Sequence, residues 1–279
     1  MGVKIVTDST SDLTPEIASK LGITVVPLYI YYGNESYRDG IDLTTEDFYQ
    51  RLAQNKTLAT TSAPPPSVFA KTYDRLAEET DEILTITISS KLSATYNTAV
   101  EAKGLMRSKC RVEVIDSLSA IMGLGLITIS AAKAAQAGND LNEVTDVVQN
   151  NIRQVDFRVV FDTLEYLERG GRIGKAQAFL GSILKINPII TIRDGEVYPA
   201  GRQHSRAKAM DYLYNFAMSF PNIGEMAIED ATTPNDADML LERLNPKFNR
   251  EHIYQMKVSP VIGNNVGPCV LGVGIIPKE

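Results

Sequence analysis

Short hydroxyl side chains cluster in two segments that follow predicted strands. Thr61 and Ser62 lie in a proline-rich loop, and Ser89 and Ser93 follow the predicted strand at 83–88. In an open parallel sheet, ligands bind at the carboxyl ends of the strands, next to the free N–H groups of helix N-termini. Hydroxyl and N–H donors favour an anion. The sequence therefore predicts an anion site between these loops; the alternative is that each serine caps its own helix.

Two aspartates follow the first predicted strand. Asp8 and Asp12 lie four positions apart, which suits either a phosphatase or metal-binding pair or a turn held by local hydrogen bonds. A serine nucleophile would need a base within hydrogen-bond reach, and the two histidines, His204 and His252, lie in no motif. We therefore predict a binding protein that is not an enzyme. A small-molecule phosphatase or transferase that uses the Asp8/Asp12 loop is the alternative.

A short basic segment has the outline of a phosphate-binding loop. The pattern G-x-x-x-x-G-K-[ST] ending at Lys175 needs glycine at 169 and serine or threonine at 176, but Arg169 and Ala176 stand there. Arg169, Arg172 and Lys175 then form a small cationic cluster between two predicted helices. We interpret the cluster as a docking patch for an acidic partner surface, with a solvated face as the alternative.

Composition excludes several classes of protein. The chain has 279 residues, which favours two domains, and its net charge of −6 argues against nucleic-acid binding. Cys110 and Cys269 are far apart without a CxxC partner, so we expect reduced thiols and no metal site. The apolar stretch at 120–132 is too short to cross a bilayer, and the N-terminal residues show no signal-peptide pattern. We expect a cytoplasmic protein with no cofactor and no stable membrane insertion.

Strands and helices alternate in the first half of the chain. Runs of β-branched residues predict strands at about 3–6, 23–32, 83–88 and 112–115. Apolar periodicity predicts helices between them, including 122–136 and 141–152. We place a turn at 33–39 and a loop at 60–67. The alternation indicates a mainly parallel sheet with helices on its faces.

The pattern changes at about Phe157. Two short strands flank Asp194-Gly195, a pair typical of a hairpin turn. Helices are predicted from 164 to about 170 and from 176 to 184. Further strands and helices follow, and the last predicted strand is 270–276. We therefore predict an α/β fold with two domains, residues 1–155 and residues 156–279, the second with a mixed or antiparallel sheet.

Six short motifs occur in order along essentially the whole chain. They are Val6–Leu13, Asp39–Asp42, Thr61–Pro64, Ser89–Tyr96, Leu167–Ile173 and Ser259–Gly263. Together they resemble the DegV family, the bacterial fatty-acid-binding proteins that serve a fatty acid kinase. The resemblance implies two α/β domains with an acyl chain, such as palmitate, enclosed between them.

The resemblance also implies positions for the fatty-acid carboxylate. By position, Thr61 and Ser93 would bind it, with Ser62 in the same loop. Arg202 aligns with a family arginine near the head group. The family histidine near the C-terminus is replaced here by Asn265, whose amide can donate a hydrogen bond but cannot carry charge. Asn265 is therefore expected at the carboxylate, and the replacement implies weaker carboxylate binding, weaker transfer to the kinase or a different acyl preference.

A partner protein is the last implication of the resemblance. Family members offer the bound carboxylate to a fatty acid kinase, which forms an acyl phosphate for phospholipid synthesis. Arg169 and Arg172 would lie on the face that meets the kinase, and Lys175 belongs to the same basic cluster. The expected role is that of a carrier, and an interaction module with a purely structural ligand is a further alternative.

Overall fold

Among the described residues, the first half of the protein contains seven strands in two sheets. The computed structural model describes residues 2–54, 59–180 and 186–278. The strands are β1 (Lys4–Asp8), β2 (Ile23–Val26), β3 (Tyr29–Tyr32), β4 (Glu35–Arg38), β5 (Thr60–Ser62), β6 (Glu82–Thr87) and β7 (Arg111–Asp116). Four of them form a sheet in the order β2-β1-β6-β7, and every neighbouring pair is parallel. The predicted parallel sheet is confirmed.

Six helices occur among the described residues of this half. They are α1 (Pro15–Leu21), α2 (Thr45–Gln54), α3 (Pro66–Leu76), α4 (Thr95–Ala102), α5 (Ile121–Gln136) and α6 (Leu141–Gln154). Val6 and Ile83 pack with α3 and α4 on one face, whereas their neighbours Ile5 and Leu84 belong to the cluster that includes α5 and α6. Successive strand residues point to opposite faces, so both faces of the sheet are covered.

The remaining three strands form a small antiparallel sheet in the order β4-β3-β5. It was not predicted: the proposed loop at 60–67 contains β5, and the proposed turn at 33–39 contains β4. Thr61 pairs with Ile30, so it belongs to a strand rather than to a loop at the edge of the parallel sheet. A three-residue strand is too short to show periodicity, and the prolines that follow it suit the start of α3 instead.

A six-stranded mixed sheet organises the second half. Its strands are β8 (Asp156–Phe161), β9 (Asn187–Arg193), β10 (Glu196–Gln203), β11 (Ile223–Asp230), β12 (Ile253–Lys257) and β13 (Val270–Pro277). Their order is β10-β9-β8-β13-β11-β12, and among these neighbours β11 and β12 are the parallel pair. Asp194 and Gly195 both have positive φ, as the predicted hairpin turn requires. The mixed sheet is confirmed.

Four helices occur among the described residues of the second half. They are α7 (Glu165–Arg169), α8 (Arg206–Met218), α9 (Pro234–Leu244) and α10 (Pro260–Val266). The helix predicted at 176–184 is instead a 3-10 segment, Gly174–Phe179, and positions 181–185 lie outside the described residues. Gly174 has a φ of +51°, and a Cβ there would lie 2.8 Å from the Val197 carbonyl oxygen. This close contact ties the segment to β10.

The two halves share the largest of three apolar clusters found among the described residues. The largest buried cluster includes α5, the parallel sheet and inward residues of β8 and β13. Asp156 begins the mixed sheet, so the change of sheet falls where the boundary between residues 155 and 156 was placed, but the division into domains remains an interpretation. None of the described helices is long and apolar enough to span a membrane.

Candidate functional site

A cavity of about 340 Å³ lies between the parallel sheet and the mixed sheet. On one side it is lined by residues that follow strands of the parallel sheet: Thr10 after β1, Ile88 after β6 and Ala120 after β7. On the other side it is lined by residues of the mixed sheet. The cavity therefore occupies the crevice at the carboxyl ends of parallel strands, where α/β proteins bind ligands.

Alternate residues of β8 give the cavity a long apolar wall. Phe157, Val159 and Phe161 all line it, and because strand side chains alternate between faces, the three point to the same side. At about 3.3 Å per residue, they extend over roughly 13 Å. Ile190 of β9 and Val197 of β10 continue this surface. The wall suits an extended hydrocarbon chain.

Two glycines allow α5 to close the cavity from the other side. Met122, in the first turn of α5, lines the cavity and packs on β13. A Cβ at Gly272 would lie 2.3 Å from Met122 Cε, and one at Gly274 would lie 2.7 Å from Met122 Cγ. These separations are shorter than real carbon contacts. The glycines therefore determine how closely this helix approaches the sheet.

Thr61 and Ser62 line the cavity from β5, and both are half-buried. The Ser62 hydroxyl lies 3.3 Å from the Tyr31 hydroxyl and donates to it. Within the described ranges, the Thr61 hydroxyl forms no hydrogen bond. Asn264 of α10 donates to the Ala59 carbonyl oxygen at 2.9 Å and fixes the start of β5 against α10.

Ser93 lines the cavity from the loop between β6 and α4. Its Oγ accepts a hydrogen bond from the Thr95 backbone N–H at 3.3 Å and lies 2.8 Å from Thr95 Oγ1. Ser93 thus forms a local turn with Thr95, but it is not the helix cap considered as an alternative, because Ala94 occupies the N-cap position of α4 and no side chain caps it. A hydroxyl has two acceptor lone pairs and one proton, so Ser93 can hold this turn and still bond a ligand.

Arg172 lies at the cavity, although it was predicted only for a docking patch. Its Nε donates to the Leu92 carbonyl oxygen at 3.4 Å, and its Nη1 donates to the Gly170 carbonyl oxygen at 2.5 Å. These bonds hold the guanidinium next to Ser93. No acidic partner of Arg172 occurs among the described residues. The site thus combines hydroxyl groups with a positive charge that no protein carboxylate neutralises.

Asn265 lines the cavity from α10. Its Nδ2 donates to the Val261 carbonyl oxygen at 3.1 Å, and a Cβ at Gly170 would lie 2.2 Å from Asn265 Oδ1. Gly170 is the residue whose carbonyl oxygen accepts from Arg172, so Asn265 and Arg172 lie close together. The structure therefore brings Thr61, Ser62, Ser93 and Asn265 to one cavity, and their roles in ligand binding remain predictions.

Three predicted residues lie elsewhere. Arg202 is exposed on β10 and does not line the cavity. Arg169 is exposed and forms an ion pair with Glu165. Lys175 is exposed on the 3-10 segment. The predicted basic cluster is thus divided, with Arg172 at the cavity and the other two on the surface.

Asp8 and Asp12 are buried and serve as structural acceptors. Asp8 accepts hydrogen bonds from Thr10 and from the Ile88 N–H, so both of its carboxyl oxygens are engaged. Asp12 accepts from the Ser259 N–H at 3.1 Å. Burial raises the pKa of both carboxyl groups, and repulsion from Glu229 raises that of Asp12 further. This geometry gives no support to the hydrolase alternative, and no metal-binding cluster occurs among the described residues.

Glu229 is the residue of the cavity that sequence reasoning missed. It lies on β11, its side chain lines the cavity, and only 1% of its surface is exposed. Oε2 accepts a hydrogen bond from the Met122 N–H at 3.1 Å. Glu229 belongs to no motif, and its one signal in the sequence is a charged residue directly after the apolar run Met226–Ile228.

The family model described as "Uncharacterised protein, DegV family" matches residues 2–278. This chain belongs to the DegV family. A DegV domain-containing protein from Clostridium perfringens is 36% identical over 281 residues, which cover 98% of each chain. The resemblance found in the six motifs is therefore confirmed.

Solved structures of DegV relatives have the same fold. A DegV family protein from Thermus thermophilus, described for its fatty acid binding, matches with a TM-score of 0.91 and 32% identity over the whole of both chains. DegV from Bacillus subtilis, described as a fatty acid binding protein, matches with a TM-score of 0.89 and 27% identity, again over both whole chains. The parallel and mixed sheets of this chain are thus the DegV fold.

Proposed function

We propose that this DegV protein binds one long-chain fatty acid in the cavity and presents its carboxylate at the end formed by Thr61, Ser93 and Arg172. The observation that carries the proposal is the combination of a long apolar wall with hydroxyl groups and one guanidinium that has no acidic partner in the described ranges. The fatty acid binding named for two relatives of the same fold supports it.

The hydrocarbon tail supplies the driving force. Each buried methylene contributes about 0.8 kcal/mol, so about fourteen of them give roughly 11 kcal/mol before costs. Association and ordering oppose this with about 4–15 kcal/mol. The net affinity therefore depends on how completely the tail is enclosed, and Phe157, Val159 and Phe161 enclose it from the mixed sheet.

The polar end fixes the orientation of the fatty acid. A carboxylate removed from water must accept hydrogen bonds or take up a proton. Thr61 and Ser93 can donate to it, and Arg172 adds a charge-assisted bond, which is about twice as strong as a neutral one. Asn265 can add an amide N–H. This arrangement holds the carboxylate without a covalent step, so the chain acts as a carrier and not as an enzyme.

Occupancy is tested by native mass spectrometry and lipid extraction of the purified full-length chain. We expect one acyl chain per protein. Val159→Trp places an indole in the cavity and should yield empty protein, whereas Met239→Trp, at a position that is 56% exposed on α9, should remain loaded. A wild-type protein that stays empty with added fatty acid would contradict the proposal.

The second part of the proposed function is delivery to a fatty acid kinase. Arg172 at the cavity, and Arg169 and Lys175 on the surface of the same chain segment, are exposed cations that suit an acidic docking surface. With the kinase and ATP, the loaded chain should yield an acyl phosphate, which hydroxylamine traps as a hydroxamate. Lys175→Ala should lower this yield without changing the loaded fraction. Product formation by the chain and ATP alone would contradict a carrier role.

A further inference from the structure

Ser89 connects three loops around the cavity without lining the cavity itself. Its side chain is fully buried, and its hydroxyl donates to the Gly195 carbonyl oxygen at 2.8 Å. The same hydroxyl accepts from the Lys91 N–H at 3.2 Å within its own loop. Its backbone N–H donates to the Ser119 carbonyl oxygen at 2.8 Å. Ser89 therefore joins its own loop to the β9–β10 turn and to the loop that precedes α5.

Each of the three loops contributes to the cavity wall. The loop of Ser89, the loop before α5 and the β9–β10 turn are followed or formed by lining residues, namely Ser93, Ala120 and Val197 respectively. The Ser89 carbonyl oxygen also accepts from the Ser93 N–H at 3.1 Å. Because of this bond, a movement of Ser89 carries Ser93 with it. Ser89 thus determines where the Ser93 hydroxyl lies.

The bond between Ser89 and Gly195 also joins the two halves of the protein. A Cβ at Gly195 would lie 2.5 Å from Ser89 Oγ, so the hydroxyl packs more closely on this turn than a larger residue would allow. A second bond between the halves, from Arg172 Nε to the Leu92 carbonyl oxygen, reaches the same loop three residues later. Ser93 follows Leu92 directly. The two bonds therefore fix the Ser93 hydroxyl of the first half relative to the Arg172 guanidinium of the second.

We propose that Ser89 is a positioning residue for the fatty-acid carboxylate, because it holds Ser93 and Arg172 at a spacing at which both can donate to one carboxylate. The inference rests on the proposed fatty-acid function and adds to it a residue outside the cavity. Hydrogen bonds weaken steeply when their distance or angle departs from the optimum, and those to a charged acceptor are the strongest. Loss of the Ser89 hydroxyl should therefore weaken carboxylate binding more than tail binding.

The test compares a fatty acid with the alcohol of the same chain length. The delipidated full-length chain is incubated with equal amounts of palmitic acid and cetyl alcohol, and mass spectrometry of the extracted lipid gives the bound ratio. Ser89→Ala should lower the acid-to-alcohol ratio roughly 3- to 10-fold relative to wild type. Ser90→Ala is the matched control, because Ser90 is exposed and its hydroxyl bonds to none of the described residues. It should keep the wild-type ratio.

The ratio separates a positioning role from a general loss of structure. Equal weakening of both ligands by Ser89→Ala, with an unchanged ratio, would overturn the inference and leave the proposed function intact. A wild-type chain that binds neither ligand would overturn both. Ser93→Ala should lower the ratio by itself, and adding Ser89→Ala to it should change the ratio little further, because Ser89 acts through Ser93. Full additivity of the two substitutions would refute this route.

A second variant breaks the same bond from the other half. Asparagine tolerates a positive φ, so Gly195→Asn keeps the turn conformation, but its Cβ displaces the Ser89 hydroxyl. We expect this variant to lower the acid-to-alcohol ratio as Ser89→Ala does. It therefore decides the question if Ser89→Ala does not fold. A folded Gly195→Asn chain with the wild-type ratio would overturn the inference.

Discussion

Replacing Asp39 by asparagine should make the protein more resistant to unfolding at alkaline pH than the wild type. Asp39 is 3% exposed, and its Oδ1 accepts from the Val261 N–H at 3.3 Å, near the start of α10. Burial raises the pKa of its carboxyl group from 3.8 to about 7, and repulsion from Asp12 contributes. Asparagine keeps the shape and an acceptor oxygen but carries no charge.

The magnitude follows from the difference between the folded and unfolded pKa. Because the folded state holds the proton more tightly, its stability is complete below about pH 4 and falls as the pH rises towards 7. A difference of about three pH units corresponds to a loss on the order of 4 kcal/mol. The Asp39→Asn variant lacks this loss. The free-energy difference between variant and wild type should therefore increase from pH 4 to 7 and stay constant above it.

Urea unfolding of both proteins between pH 4.5 and 8.5 measures this difference. Asp42→Asn is the control: Asp42 is exposed and bonded to Arg38, which lowers the pKa of its carboxyl group to about 2. The stability that Asp42 contributes is lost only as the pH falls towards that value. The difference in unfolding free energy between Asp42→Asn and wild type should therefore stay constant over this range. If the difference for Asp39→Asn also stays constant from pH 4.5 to 8.5, then burial does not raise the pKa of Asp39 and the reasoning is refuted.

Further predictions concern the cavity. Arg172→Ala should weaken fatty-acid binding about 10- to 100-fold by loss of a charge-assisted bond, measured by calorimetry, whereas Lys175→Ala should bind as wild type does. Thr61→Val keeps the side-chain shape and should weaken binding several-fold with an unchanged melting temperature. Gly272→Ala should destabilise the fold by about 1–3 kcal/mol in urea unfolding, because its Cβ would overlap the Met122 side chain.

The parallel sheet and most helices could be predicted because their signals are local. The helix α1 has Thr14 as its N-cap, Pro15 in its first turn and Gly22 in the left-handed conformation at its end. Each of these features is visible in the sequence. The same holds for the Asp194-Gly195 hairpin. Such features depend on a few neighbouring residues, so tertiary context did not change them.

The small sheet and the position of Arg172 depend on tertiary contacts instead. Strand β5 has three residues and owes its conformation to pairing with β3, so nothing in 60–67 itself indicates a strand. Arg172 belongs to a run that suggests a surface patch, and only its bond to the Leu92 carbonyl oxygen, 80 positions away in the chain, brings it to the cavity. Thr61 and Ser93, which the motif resemblance assigned to the carboxylate, both line the cavity, and their binding role stays a prediction; Arg172, and not Arg202, lines the cavity with them.

Glu229 illustrates how a charged residue of the cavity can escape every motif. A carboxyl group that follows three apolar residues in a strand normally faces solvent, because burial of an unpaired charge is costly. Here the strand pairing places it opposite Gly272, where the absence of a side chain leaves room for Met122 and for the cavity. The Met122 N–H and the Asp12 side chain hold the carboxyl group there, and because both partners lie more than a hundred positions away in the chain, nothing around position 229 of the sequence could reveal them.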